Sequence, residues 1–419
     1  MKYTKYELDN LDVHFIKTDK FKSIYISMVL INEFNKENLT KNFILRKLLT
    51  TSSKNLKNEI EVTTKVCDLY NSGIVISNNL VNNVITTNID MEVLEDKYTE
   101  DGLLNKALDY YFDTIFNPNI IDGKFEKSNY DLVIKNVSNY YEKEKENKRR
   151  YAVNNAFSIL DENQLKYNIN GYIEDLKNIT SETMADYYEN LFKSAHANIF
   201  VIGNVNEEEL LQIIKDNIKD KLYKNPNKYE INVFKNNTKL KTKEDKDNNN
   251  QSILVLIYKI LNITKRERYV ILPVFNRIFG LGNNSKLFRN VREKNSLCYD
   301  IRSSVFNTES IMTVESGINY SDKDKVIELI NIELENMKNG NITQDEFNDA
   351  IKFRKKNLKQ FEDYNDSILY IKQGKILFDN EDLEERRESV DTIKIDELSA
   401  LANKIELNVD YILKGDKNE

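Results

Sequence analysis

The chain has two histidines, two cysteines, three prolines and eleven glycines among 419 residues, and its apolar runs are short. Each scarcity removes a class of protein. The stretch ILVLIY from Ile253 typifies the longest apolar runs. It is far below the roughly 20 residues that a helix needs to cross a bilayer. It also falls short of the apolar core of a secretory signal. Together with the polar start MKYTKYELDN, this predicts a cytoplasmic protein. Cys67 and Cys298 are far apart and have no CxxC spacing, so two isolated buried thiols are expected rather than a disulfide. His14 and His196 stand in helical register neither with each other nor with a nearby carboxylate. They read as surface or strand-end residues, not as metal ligands.

Charge of one sign is also lacking. Lys and Arg number 61, Asp and Glu 68, and the net charge of −7 is mixed along the chain. Such a balance leaves no electrostatic footprint for nucleic acid. The glycine-rich FGLGNNS from Phe279 lacks the Gly-Lys-[Ser/Thr] ending of a phosphate loop. The run YYEKEKENKRRY from Tyr140 alternates in sign and reads as the solvated end of a long helix. Asn and Lys are abundant, but apolar periodicity persists almost throughout. The bias is therefore compositional, not a sign of disorder.

What the chain does have is an internal repeat. Its length predicts two domains of about 200 residues each. IFNPNIIDGKF ends at Phe125 and MKNGNITQDEF at Phe347, 222 residues later. Each follows an amphipathic helical stretch, LLNKALDYYFDTIF or KVIELINIELENM, and each precedes a long charged helix. Upstream, SGIVISNNLVNNVITTNID and LCYDIRSSVFNTESIMTVESGI alternate as paired strands do. Downstream, DLKNITSETMADYY leads to NIFVIGNV with Gly203, and SVDTIKIDELSALA leads to DYILKGDK with Gly415. Four elements matched in order predict two copies of one α+β domain. The first would span residues 1–222 and the second 251–419. The polar stretch 223–250 would be a linker with room for one short strand. Each copy would have a mostly antiparallel sheet, built on strands such as SIYISMVLI and SILVLIYKI, with helices on one face.

The most specific segment is FGLGNNSKLFRNVREKNSLCYDI. With the duplication, it resembles the insulinase (pitrilysin) family of zinc metallopeptidases. Gly280, Gly282, Ser285, Leu287, Phe288, Arg292, Glu293, Lys294, Leu297 and Tyr299 all fit that family's second-domain signature. The resemblance implies two homologous domains forming half of a clamshell. It also implies that Arg292 and Tyr299 face the chamber, hold substrate and stabilise the oxyanion beside the metal. A guanidinium and a phenolic O–H are suited to that charge. On the residues alone another arrangement stays open, with Arg292 on a surface carboxylate and Tyr299 packed in the sheet.

The family's first domain should carry His-x-x-Glu-His on its first long helix. Here the aligned helix reads TKNFILRKLLTTSSK. Asn42 and Arg46 take the two histidine positions, and Leu45 takes the glutamate position. Asn is a poor zinc ligand, Leu has no basic atom and Arg is a permanent cation. Glu126 falls near the spacing of a third ligand and reads as a solvated helix residue. No metal of the chain's own is therefore expected. The resemblance implies a non-catalytic, substrate-binding subunit that supplies Arg292 and Tyr299 to an active site whose zinc is carried by a partner chain. Heterodimers in which one chain bears the zinc motif occur in the family, the mitochondrial processing peptidase among them. An inert scaffold or peptide-binding protein of the same fold is the alternative. Some bacterial relatives of this branch are connected with modification of elongation factor P, which the residues leave open.

Overall fold

The central strand of the first sheet, Ser23–Glu33, is buried almost from end to end. A strand so apolar needs partners on both edges and cover on both faces. In a computed structural model of the chain it has both; residues 1–9, 11–161, 163–218, 221–222, 233–236 and 239–415 are described. The chain forms two compact units. One comprises Met1–Lys143 and Tyr167–Lys228, the other Glu144–Lys166 and Tyr229–Glu419.

Across the first sheet the strands run Lys2–Glu7, Asp12–Lys17, His196–Gly203, Ser23–Glu33, Val84–Leu94, Ile74–Val81. All neighbours are antiparallel except Asp12–Lys17 with His196–Gly203. The helices Leu39–Thr51, Leu103–Phe116 and Ser181–Ser194 add their apolar stripes to one core with Ile24, Ile26, Met28 and Leu30. Tyr111 fastens its helix to the sheet. Its O–H donates to the Ile89 carbonyl at 2.7 Å, and it accepts from the Met28 N–H at 2.8 Å.

The second sheet runs Lys241–Asp247, Ile405–Gly415, Ser252–Ile260, Ile311–Ile318, Cys298–Phe306. Read from its one parallel pair, Lys241–Asp247 with Ile405–Gly415, it repeats the first sheet strand for strand. The first sheet differs only by the additional edge strand Lys2–Glu7. The α+β duplication expected from the sequence is thus present in the topology. Lys241–Asp247 falls inside the stretch expected as a linker and is its one described strand; residues 223–232, 237 and 238 of that stretch lie outside the described residues.

Three local readings of the sequence are corrected. The charged run from Tyr140 is not the end of one helix. The helix Lys127–Glu144 stops, and Asn147 caps a second one, Lys148–Ser158, by accepting from the Arg150 N–H at 3.0 Å. That second helix belongs to the second unit. Its Ala152, Ala156 and Phe157 pack with Val255, Val409 and Tyr411, on the face of the sheet opposite the other helices. Cys67 is exposed, not buried, whereas Cys298 is half-buried, and burial raises its pKa. His14 is neither at the surface nor at a strand end. It is fully buried in mid-strand and stacked on Phe200 at 4.5 Å. His196 does begin its strand.

The buried His14 ring lies 2.9 Å from Tyr3 Oη and 3.0 Å from Asn198 Oδ1. Burial lowers its pKa below the ordinary 6.5, against a smaller opposing effect from Asn198 and Asp12. Below pH 6.5 the unfolded chain therefore binds a proton that the folded chain resists, and stability falls as the pH drops through that window. His14→Leu should be less stable than the parent at pH 7.5, and the gap in melting temperature should narrow towards pH 5. A gap independent of pH would show that the ring titrates normally.

Candidate functional site

In the signature segment most residues are accounted for by packing. Gly280 follows the helix Leu272–Phe279, and a Cβ there would lie 2.4 Å from Ser303 Oγ. Gly282 has φ +90°, open to glycine at little steric cost. Ser285 Oγ donates to the Gly282 carbonyl at 2.7 Å and accepts from the Phe288 N–H at 3.3 Å, which starts the next turn. Leu287 is buried in the second core, with Val291 beside it.

Arg292 and Tyr299 have no such occupation. Arg292 is exposed, and its guanidinium lies over the Phe288 ring at 4.6 Å. Tyr299 is 68% exposed. Among the described residues neither side chain has a hydrogen-bond or ion-pair partner. The surface carboxylate and the sheet packing left open by the sequence are both absent among those residues.

The backbone between these two residues is irregular in three ways. Phe288–Glu293 is π-helical. Ser296 has φ +54°. The edge strand Cys298–Phe306 then begins with a bulge: Cys298 pairs with Ile318 and Asp300 with Gly317, so Tyr299 faces no partner. Bulges and single π-turns re-aim side chains and recur at functional sites. This junction presents Tyr299 outward from a strand whose next residues, Ile301 and Ser303, are buried.

In the first unit Asn42, Leu45 and Arg46 share the helix Leu39–Thr51 and are built into structure. Asn42 is 5% exposed, and its Oδ1 accepts from the Tyr187 O–H. Leu45 is 2% exposed, in the core. Arg46 lies over the Phe43 ring at 4.3 Å and donates to Asn170 Oδ1 at 2.9 Å. The space beside all three is about 10 Å³, walled largely by Leu30, Leu49, Ile76, Ile89 and Phe192. That is scarcely room for one water. Asn42 and Tyr187 also line an open polar cleft of about 910 Å³ with Lys36, Lys41, Asp186 and Asn190.

Glu126 is not a free helix residue. It caps the helix Lys127–Glu144, accepting from the Ser128 and Asn129 N–H groups at 3.0 Å, and those bonds lower its pKa. The donors here do not suit zinc: an engaged amide, a hydrocarbon and a cation. Among the described residues no group of three His, Cys, Asp or Glu side chains is placed to hold a metal, and no helix is long and apolar enough to cross a membrane.

Residues 178–353 match the family described as Peptidase M16 inactive domain. The chain is also 24% identical over 418 residues to the probable inactive metalloprotease YmfF of Bacillus subtilis (strain 168), covering 97% of this chain and 96% of that protein. These matches make the chain similar to M16, insulinase-type, peptidases of the inactive kind. Among solved structures, a conserved protein from Enterococcus faecalis V583 superposes with a TM-score of 0.91 at 28% identity, covering 100% of this chain and 99% of that one. The peptidase M16 inactive domain from Pseudomonas fluorescens shares the fold, with a TM-score of 0.78 at 14% identity over 99% and 98% of the two chains. What it resembles is the inactive, peptidase-like kind. Asn42, Leu45 and Arg46 offer no set of zinc ligands on the helix Leu39–Thr51.

Two outcomes follow from the filled zinc position. After dialysis, metal analysis should find well under one zinc per chain; a stoichiometric, chelator-resistant zinc would contradict the assignment. Leu45→Glu should lower stability in urea unfolding by about 3–5 kcal/mol, because it leaves an uncompensated charge in the core. A variant as stable as the parent would show that the position is hydrated.

Proposed function

We propose that the chain is the substrate-binding, non-catalytic subunit of a heterodimeric M16-type zinc metallopeptidase. Its partner would be a family member with an intact His-x-x-Glu-His helix. This chain would lend Arg292 and Tyr299 to the partner's active site. The observation that carries the reading is the pair of unengaged, outward donors on a distorted junction, inside a signature whose other apolar and glycine positions serve packing. An exposed tyrosine on a bulge contributes little to folding. As a donor it has a clear use.

A peptide carbonyl under attack gathers negative charge on oxygen. A phenolic O–H and a guanidinium, already solvent-facing and free of competing internal partners, stabilise that charge without rearranging the chain's own hydrogen bonds. Tyr299 would donate to the developing oxyanion. Arg292, with five donors and a fixed charge, would hold carbonyl oxygens of the substrate in the ground state as well. The precedent of inactive chains within this family supports a partner that brings the metal.

In the assembled peptidase, Tyr299→Phe should leave folding and assembly intact and lower kcat by roughly 100- to 1000-fold, about 2.7–4 kcal/mol. Arg292→Ala should also raise KM. Steady-state kinetics with a thermal melt of each variant is the measurement. Parental turnover in a well-folded Tyr299→Phe complex would remove the oxyanion role. Recovery of the chain alone, at monomer mass, from cells that also make a zinc-bearing relative would remove the heterodimer.

A further inference from the structure

We infer that Arg149 is a positioning residue for Tyr299, acting through Asp300. Because Tyr299 has no partner across the bulge and lies on an edge strand, its backbone is held only from its two flanks. Upstream, Cys298 pairs with Ile318, and in the turn before it the Ser296 N–H reaches the Arg292 carbonyl at 3.0 Å and the Leu297 N–H the Val291 carbonyl at 3.4 Å. Downstream is Asp300, and here the anchorage is dense. Asp300 Oδ1 accepts from the Gly317 N–H at 3.3 Å, and its carbonyl accepts from Ser316 Oγ at 2.9 Å. Its Oδ2 pairs with Arg149 Nη2 at 2.5 Å.

Arg149 reaches the neighbouring strand too. Its Nη1 lies 3.5 Å from Glu315 Oε2, which also takes Arg302 Nη2 at 2.8 Å. Arg302 and Glu315 are direct cross-strand partners. Two guanidinium groups and two carboxylates thus form one network over the last two strands of the sheet, with Glu315 almost buried. Networks of this kind hold geometry better than isolated surface pairs.

The origin of Arg149 gives the network its significance. It stands in the first turn of the helix Lys148–Ser158, which comes from the first half of the chain and packs in the second unit. That helix meets the Tyr299 strand at both ends: Arg149 at Asp300, and Phe157 edge-on to Phe306 at 5.4 Å. Asp300, Arg302 and Phe306 share one face by the strand period. The helix is therefore a splint laid along the strand that carries Tyr299, fastened by charge at the bulge and by apolar contact at the far end. Lys148 adds a second charged fastening, to Asp247 at 2.6 Å.

The inference rests on the proposed role of Tyr299 only for its kinetic consequence; the mechanical claim stands on geometry. The two are separated by a chain that contains no tryptophan. Tyr299→Trp introduces the chain's one tryptophan at the bulge, and red-edge excitation selects it over the tyrosines. In that background Arg149→Met should lower the fluorescence anisotropy of the tryptophan, and Arg149→Lys should restore part of it. Far-UV circular dichroism should stay unchanged, with the melting temperature within a few degrees of the parent. Unchanged anisotropy in a folded Arg149→Met variant would overturn the positioning role.

In the assembled peptidase with Tyr299 intact, Arg149→Met should lower kcat about 10- to 100-fold, as a misplaced catalytic group does, with KM unchanged. The same change in a Tyr299→Phe background should add nothing. A full additional loss there would place the effect of Arg149 elsewhere and overturn the inference. If Tyr299→Phe is itself silent, the proposed function fails, and the anisotropy series still decides whether Arg149 holds the bulge.

Discussion

All nine residues of the strand Ser252–Ile260 are buried, and that constraint organises the second unit. Such a strand cannot leave either face of its sheet to water. Helices drawn from its own half of the sequence cover one face, with Val270, Phe275, Val326 and Leu398. The other face is closed by Lys148–Ser158, which lies within the stretch 1–222 expected as the first domain. The excursion of residues 144–166 into the second unit is thus an answer to a burial requirement. It also brings a charged helix start beside the strand that carries Tyr299.

The signature segment divides into two kinds of residue. Gly280, Gly282, Ser285, Leu287 and Val291 build the junction. Arg292 and Tyr299 are what the junction presents. A π-helical turn, a left-handed serine and a bulge within about a dozen residues represent local strain that regular packing does not need. Strain of that sort persists where the surrounding structure over-determines it, and here the Asp300 network supplies the determination.

Most of the fold was legible because its evidence is local or repeated. The alternating runs before Phe125 and Phe347 became hairpins, and the matched glycines at 203 and 415 end the last strand of each sheet. The candidate segment was legible because it is contiguous, and the departure from His-x-x-Glu-His because it falls on one helix. What escaped depended on contacts distant in sequence. Nothing in YYEKEKENKRRY distinguishes Arg149, which meets Asp300, from its solvated neighbours. His14 looked peripheral because a single strand does not reveal that a Phe from residue 200 will stack on it. Glu126 looked like a helix residue because a cap and the first turn differ by one position, and only the Ser128 and Asn129 N–H groups tell them apart.

The helix Leu39–Thr51 shows how far this chain stands from a metal site. Asn42 is committed to Tyr187, Leu45 to the core, and Arg46 to Asn170 and Phe43. Each position serves the fold, and the space beside them is about 10 Å³. Return to a metal site would require several changes at once, since any one of them alone breaks a contact and gains no ligand field. A chain with this helix has tied its own stability to the residues that stand in the ligand positions.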